Sequence, residues 1–165
     1  MNAQDIVQSL ALQPHPEGGF FRETYRSAEP VQRADGALRS ASTAIYYLLC
    51  DGAYSTWHRI RSDETWHFYA GSTLVVHELL ADGSLRTHRL GPEMGNEVFQ
   101  STVLAGNWFA AELADPSSFA LVGCTVAPGF EFSEFELADA AQLAREYPLH
   151  GALINRLRRP GSDPA

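Results

Sequence analysis

The feature that most constrains this chain is a succession of short β-rich runs with no room for a helix between them. Each run is bounded by Gly, Pro, Asn, Asp or Ser, which are typical turn residues. Strands joined so closely pair antiparallel, because a parallel crossover needs a dozen or more residues. The chain is therefore predicted to be all-β, as a sandwich, jelly roll or small barrel. The predicted strands are 20–26, 43–49, 55–60, 65–70, 73–80, 85–90, 99–104, 108–112 and 119–126, followed by an aromatic run at 130–135.

Helical patterns occur only near the two ends. Apolar residues recur at helical spacing between residues 2 and 12, and strong helix formers fill residues 139–146. We expect one domain over residues 1–165: an N-terminal helical segment at 1–14, a β-barrel at 20–135 and a C-terminal helical segment at 139–157. The N-terminal segment is expected to act as a lid or a brace.

Composition excludes several classes of function. The 165 residues contain 12 basic residues, all Arg, against 20 acidic ones, for a net charge of -8. Such a chain repels phosphate backbones and anionic membranes, so no nucleic-acid or membrane partner is expected. Cys50 and Cys124 lie apart in apolar runs and suggest no disulfide framework. No run approaches the ~20 apolar residues of a membrane span, and we expect a cytoplasmic protein.

One stretch concentrates residues that can carry chemistry. His58 ends a predicted strand, a tight turn follows, and Glu64 begins the next strand. Across an antiparallel pair these side chains can approach each other. A His and a carboxylate that point into a barrel suit either a metal site or a general acid/base pair.

This stretch resembles the first motif of the cupin superfamily, G-x5-H-x-H-x3-E-x6-G. Gly52, His58, Glu64 and Gly71 fall at the matching spacings, but Ile60 stands where the motif has its second His. In the counterpart of the second cupin motif, Gly106 is kept and Phe109 stands where the last metal-binding His would be. Two of the four metal ligands of the family are therefore missing.

A closer resemblance covers nearly the whole chain. Its segments are residues 15–27, 44–49, 74–77, 105–112 and 121–132. They are similar to the small single-domain cupins of unassigned activity, sometimes called the fifth cupin family. The resemblance implies a cupin double-stranded β-helix (a jelly-roll barrel), a homodimer, and a deep pocket at one end of the barrel.

His58 and Glu64 are the predicted catalytic residues, with His58 as general base and Glu64 as its orienting partner. No cofactor is expected. A metal at His58 and Glu64 is the less favoured alternative, because catalytic zinc usually takes about three protein ligands. His67 is expected on the opposite face of its strand. A second alternative is that His58 and Glu64 form an ion pair that only ties two strands together.

The predicted ligand-binding residues are mostly aromatic or polar side chains near the motif strands: Trp66, Phe109, Tyr46, Gln100 and Glu23. Tyr46 or its neighbour Tyr47, whichever faces inward, is a candidate acid or hydrogen-bond donor. The alternative for the aromatic residues is plain core packing. The alternative for the strand that contains Glu23 is a charged sheet edge or a dimer contact. The alternative for Gln100 is a position on the exposed surface.

These observations lead to one functional hypothesis and two rivals. The chain is predicted to bind a small molecule, as a metal-independent isomerase-like or epimerase-like enzyme acting on a sugar or nucleotide-type polar metabolite. One rival is a cupin that binds a small ligand without converting it. The other is a metal-dependent cupin with atypical ligands.

Overall fold

The computed structural model describes residues 1–165 and consists mainly of two antiparallel β-sheets packed face to face. The strands are β1 Gln13–Pro14, β2 Phe20–Arg26, β3 Pro30–Gln32, β4 Leu38–Ser40, β5 Thr43–Cys50, β6 Ser55–Arg59, β7 Asp63–Gly71, β8 Leu74–Leu79, β9 Leu85–Leu90, β10 Gln100–Val103, β11 Trp108–Leu113, β12 Phe119–Ala127 and β13 Glu136–Leu137. The helices are α1 Ala3–Ser9, α2 Ala140–Glu146 and α3 Gly151–Arg156, with 3₁₀ turns at Phe132–Glu134 and Pro148–His150.

Strands that are distant in sequence lie side by side in both sheets. One sheet has six strands in the order β1-β2-β5-β12-β7-β10, and the other has five in the order β13-β6-β11-β8-β9. Strands β3 and β4 form a separate hairpin. Every pairing between these strands is antiparallel. The structure confirms the predicted all-β jelly roll with short terminal helices.

Alternation along the strands separates the inner core from the outer faces of the sheets. In β5, Tyr47 and Leu49 belong to the core between the sheets, whereas Leu48 and Cys50 face outward. The outward pair packs against Ile6, so α1 covers the outer face of the six-stranded sheet. The N-terminal segment is thus a brace on that face.

The two C-terminal helices cover the outer face of the five-stranded sheet. Leu143 and Ile154 of these helices pack with Trp57 and Leu79 of the sheet, and all four are buried. Each sheet therefore has a helix against part of its solvent side. None of the three helices has the length and apolar character needed to cross a lipid bilayer.

Most predicted strands are confirmed to within two residues, and the main difference is at residues 130–135. This run contains the 3₁₀ turn Phe132–Glu134 instead of a strand. The Glu134 carboxylate is paired with Arg33 at 3.0 Å and with Arg39 at 2.5 Å. Both arginines belong to the β3–β4 region, a hairpin that the sequence pattern did not indicate. The turn is therefore fixed by long-range ion pairs, which local periodicity does not encode.

Replacing Ile154 by Ala tests whether the C-terminal helices stabilise the fold. Ile154 is 0 % exposed, so we expect Ile154→Ala to lower the free energy of unfolding by about 2–4 kcal/mol, because it leaves a cavity. Urea denaturation measures this loss. The matched control is Leu149→Ala, at a side chain that is 90 % exposed, and a loss of equal size in both variants would contradict the packing role of Ile154.

Candidate functional site

A cavity of about 790 Å³, including its mouth, opens between the two sheets. We call it the main cavity, and it is lined by His15, Glu17, Phe21, Glu23, Arg26, Thr43, Ile45, His58, Ile60, Glu64, Cys124, Val126, Phe130, Glu131, Phe132 and Phe135.

An ion pair between His58 and Glu17 lies in the wall of the main cavity. His58 Nε2 is 2.9 Å from Glu17 Oε2, and both side chains are buried. The other ring nitrogen, His58 Nδ1, lies 2.7 Å from the carbonyl oxygen of Thr56. A carbonyl oxygen only accepts hydrogen bonds, so Nδ1 carries a proton. Both ring nitrogens therefore face acceptors, which suits an imidazolium.

The pKa values of the pair shift in opposite directions. Burial lowers the pKa of His58, but the charge and hydrogen bond of Glu17 outweigh it, so the pKa of His58 lies above its usual 6.5. Burial raises the pKa of Glu17, but His58 and His15 outweigh it and bring the pKa to about 2. Both shifts favour the charged forms, an imidazolium beside a carboxylate.

A tight turn after β1 places Glu17 beside His58. The backbone N–H of Thr56, in β6, donates to the carbonyl of Glu17 at 3.0 Å. Gly18 follows at φ +111°, and a Cβ there would lie 2.1 Å from the carbonyl oxygen of Tyr54. Only glycine fits such a position without displacing the backbone. The sequence after Glu17 therefore lets the turn lie flat against β6.

Glu64 is the second carboxyl group in the main cavity. It lies on β7 opposite Val126 of β12, is buried, and forms no ion pair. Burial raises its pKa, the negative charge of Glu17 raises it further, and His58 only partly opposes them, so the pKa rises to about 7. Glu64 can therefore both accept and donate a proton near neutral pH.

His15 supports the turn and forms part of an aromatic wall. Its Nδ1 accepts a hydrogen bond from the backbone N–H of Glu17 at 3.1 Å. Burial lowers the pKa of His15. Since an imidazole that accepts a hydrogen bond at Nδ1 carries no proton there, the ring is neutral. Its ring lies edge-on to Phe21, with centroids 4.5 Å apart, and 6.2 Å from Phe135.

A charged cluster forms the rim of the main cavity. Arg26 Nη2 lies 2.7 Å from Glu23 Oε1, and Arg26 Nη1 lies 3.0 Å from Glu131 Oε1. The Arg26 guanidinium also donates to the carbonyl of Phe130 at 2.9 Å. This arginine joins β2 to the aromatic segment that follows β12.

Three of the residues predicted from sequence do line the main cavity: His58, Glu64 and Glu23. However, the ion-pair partner of His58 is Glu17 and not Glu64, because the turn after β1 is hydrogen-bonded to β6 and places Glu17 beside the histidine. His67 points away from Glu64 as predicted, and its Nε2 lies 2.8 Å from the hydroxyl of Thr125.

The other four predicted ligand-binding residues do not line the main cavity. Trp66 and Phe109 belong to the closed core, where the Phe109 ring lies 4.1 Å from that of His58. Tyr46 faces outward against Tyr69, because alternation in β5 turns its neighbour inward. Gln100 is exposed on β10, at the edge of its sheet.

Tyr47, the inward-facing tyrosine, is not available as an acid either. Its hydroxyl donates to the carbonyl of Gly18, and burial raises its pKa well above 10. It helps to hold the turn that carries Glu17.

Sequence reasoning missed Glu17, His15 and the phenylalanines at the cavity mouth. One available signal was the combination of two ionisable side chains with two following glycines, since such a turn can approach another backbone closely. The phenylalanines gave no signal of a cavity, because the sequence shows them only as an aromatic run after the last predicted strand.

The metal ligands of the cupin motifs have no replacement here. Ile60 lines the main cavity and Phe109 packs beneath His58, and neither side chain can coordinate a metal. The structure has no group of three or more His, Cys, Asp or Glu residues arranged to hold a metal ion. The residues present thus do not fit the metal centre that the motifs would imply.

Comparisons with known proteins agree with this architecture. A sequence model described as "Cupin superfamily (DUF985)" matches residues 4–138, so the chain belongs to this cupin family, Cupin_5. A hypothetical protein from Leishmania major has a TM-score of 0.90 and 35% identity, over 96% of this chain and 99% of that chain. Protein SO0799 from Shewanella oneidensis has a TM-score of 0.88 and 38% identity, over 97% of this chain and 99% of that chain.

A curated relative is also similar in sequence. The uncharacterized protein YML079W from Saccharomyces cerevisiae is 28% identical over 149 residues, which cover 79% of this chain and 72% of the relative. The descriptions of these proteins name no substrate. The comparisons therefore establish the family and the fold, and the chemistry has to be argued from the main cavity.

Replacing Glu17 by Gln tests the ion pair. We expect Glu17→Gln to lower the pKa of His58, because burial then acts on the imidazole without the charge and hydrogen bond of Glu17 to oppose it. A histidine NMR titration measures the change, with the resonances of the outward-facing His67 as internal reference. An unchanged pKa of His58 would show that Glu17 does not stabilise its charged form.

Replacing Glu64 by Gln tests the raised pKa of this carboxyl group. The folded chain holds the Glu64 proton more tightly than the unfolded chain, with a pKa of about 7 against 4.5. The associated stability, roughly 3 kcal/mol, is present below pH 4.5 and is lost as the pH rises through 7. We expect Glu64→Gln to abolish this decline in urea denaturation between pH 5 and 7.

His58 adds a separate decline, because its pKa is raised above 6.5 and its stabilisation is lost only at higher pH. That loss remains in the Glu64→Gln variant. The control is Glu93→Gln at an exposed position, which should keep the wild-type pH profile. A Glu64→Gln variant with the same decline between pH 5 and 7 as the wild type would contradict the assignment.

Proposed function

We propose that the chain is a metal-independent acid–base enzyme that moves a proton within a small polar molecule bound in the main cavity, as an isomerase or epimerase does. The observation that carries this proposal is that two different ionisable groups line the same cavity. One is Glu64, whose pKa is about 7, and the other is the imidazolium of His58, which Glu17 holds in place. A proton-transfer group operates best when its pKa lies near the working pH.

The geometry assigns different tasks to the two groups. His58 is held at both nitrogens, by Glu17 and by the Thr56 carbonyl. It therefore serves as a fixed positive charge near the reacting atoms, in place of the general base predicted from sequence. Glu64 makes no ion pair and lines the same cavity, so it is the group that exchanges a proton with the ligand.

A balanced reaction follows from these tasks. The Glu64 carboxylate removes a proton from a carbon next to a carbonyl group, and the C–H electrons move onto the carbonyl oxygen. The imidazolium of His58 stabilises the resulting oxyanion electrostatically. Glu64 then returns the proton to the same carbon after the enolate has turned its other face to the carboxyl group. Alternatively, the proton of the neighbouring hydroxyl moves to the enolate oxygen, and Glu64 returns its proton to the former carbonyl carbon while the new carbonyl group forms at the neighbouring carbon. No co-reactant is consumed in either case.

A ligand-binding protein without turnover is the second candidate. It is favoured by the occupation of both nitrogens of His58, since a histidine held in this way can be a purely structural cation. In that case Glu64 would only form a hydrogen bond to the ligand.

The proposal extends to assembly and location. We propose a homodimer, as the family resemblance implies, supported by the large exposed rings of Tyr25 and Tyr69 on the six-stranded sheet. We propose a cytoplasmic location, on the composition of the chain.

Solvent deuterium exchange tests the enzyme against the binder. The protein is incubated in deuterated water with uncharged α-hydroxyketones and free aldoses, and incorporation of deuterium at carbon is followed by NMR. We expect exchange with the wild type and at least about 100-fold slower exchange with Glu64→Gln, because general acid–base catalysis typically contributes that much.

The matched control is Glu93→Gln, an exposed carboxylate outside the main cavity, which should exchange at the wild-type rate. Equal rates in the wild type and Glu64→Gln would remove Glu64 from the mechanism. A compound that binds without any exchange at carbon would support the non-catalytic candidate.

A further inference from the structure

We infer that the main cavity takes an uncharged small molecule with a flat apolar face, and that it rejects phosphorylated or otherwise anionic relatives of that molecule. This inference deepens the proposed function and rests on it for the choice of cavity. It narrows the sugar or nucleotide-type metabolites expected from sequence to those without a phosphate.

The first argument is that the main cavity offers no free cationic donor. Arg26 is its only arginine, and the chain has no lysine. Arg26 Nε and Nη2 donate to Glu23, Nη1 donates to Glu131, and Nη2 also donates to the Phe130 carbonyl. A phosphate would have to displace two carboxylates to form the paired hydrogen bonds that arginine usually gives to phosphate.

His58 cannot supply the missing donor. Its Nε2 is engaged by Glu17 at 2.9 Å and its Nδ1 by Thr56 at 2.7 Å. Any anion in the main cavity would lie near Glu17 and Glu64 without an N–H group of its own to bind. For a ligand with a permanent anionic group, the cost of desolvation would be offset only by the charge of His58, which Glu17 already balances.

The second argument is that every fixed charge around the main cavity is already ion-paired, and that the rim carries one more carboxylate than cations. Glu17 is paired with His58, and Glu23 and Glu131 are paired with Arg26. Glu64 is the remaining carboxyl group of the lining, and its pKa of about 7 leaves it partly protonated at neutral pH. A ligand cation would have to compete with Arg26 for Glu23 and Glu131, and an anion would be repelled by the excess negative charge, so an uncharged ligand is favoured.

The third argument concerns the shape of the apolar wall. Phe130, Phe132 and Phe135 pack edge to face, with centroid separations of 4.9, 6.0 and 6.3 Å. Phe132 remains 51% exposed although it belongs to this cluster. A large exposed ring at a cavity mouth indicates a surface that a ligand covers, and aromatic faces favour flat partners.

A pair of fluorescent probes that differ only in charge tests the inference. The uncharged probe is N-phenyl-1-naphthylamine, and the anionic one is 1-anilinonaphthalene-8-sulfonate, which has the same ring system and a sulfonate. Benzamide and benzoate form a second, smaller pair and are followed by calorimetry. We expect the uncharged member of each pair to bind at least about tenfold more tightly, or about 1.4 kcal/mol.

Two variants locate this binding and its charge preference. Phe132→Ala should weaken binding of the uncharged probes, whereas Leu149→Ala, at an exposed leucine outside the main cavity, should not. Glu131→Gln removes one partner of Arg26 and should strengthen binding of the anionic probes several-fold. Its matched control is Glu136→Gln, which removes the partner of Arg59 outside the main cavity and should leave both probes unchanged.

Equal or tighter binding of the anionic probes by the wild type would overturn the inference. Failure of both uncharged probes to bind would also overturn it. These results do not depend on turnover, since the probes carry no exchangeable C–H bond next to a carbonyl. Failure of the proposed function appears instead as unchanged deuterium exchange in Glu64→Gln, so the two failures are distinguishable.

Discussion

Alternation of side chains along the strands of two packed sheets is the constraint on which the rest of this structure depends. Each strand must place every second residue in the core, so its other residues face solvent or a helix. In β5 this places Tyr47 inside and Tyr46 outside. In β7 it directs Glu64 and Trp66 inward and His67 outward. The alternation that places Trp66 in the apolar core thus also places the carboxyl group of Glu64 in the main cavity.

Burial of a charged carboxylate costs free energy of desolvation unless a nearby positive charge or hydrogen bond offsets it. The turn after β1 determines which carboxyl group of the site receives such a partner. Glu17 lies beside His58 and forms the buried ion pair, while Glu64 is left without an ion-pair partner. Burial and the charge of Glu17 then keep the pKa of Glu64 near 7. Breaking a buried pair by removal of one partner is costly. The turn after β1 therefore affects both stability and the protonation of the site.

The function we propose follows from this division between a fixed charge and a mobile proton. His58 is immobilised by two hydrogen-bond acceptors, whereas Glu64 is able to change its protonation. Paired charges at the rim and an aromatic wall support the inferred selectivity for uncharged ligands. The site has hydrophobic side chains, Ile60 and Phe109, at two metal-ligand positions of the cupin motifs, and the proposed proton transfer uses the ionisable residues that remain.

The sequence by itself determined the strands, the all-β class and the inward direction of Glu64, because these depend on local periodicity and turn residues. His58 and the missing metal ligands were also visible in the motif. Only the tertiary structure decided the partner of His58, since Glu17 is 41 positions away in the sequence and is brought close by a hydrogen bond to β6. The tertiary structure also placed Phe132 in a 3₁₀ turn at the cavity mouth, because the ion pairs of Glu134 with Arg33 and Arg39 fix this turn. Contacts between residues so far apart in sequence leave no periodic signal. The pKa values of Glu17, His58 and Glu64 depend on how the folded chain buries these groups and on which charges it places beside them.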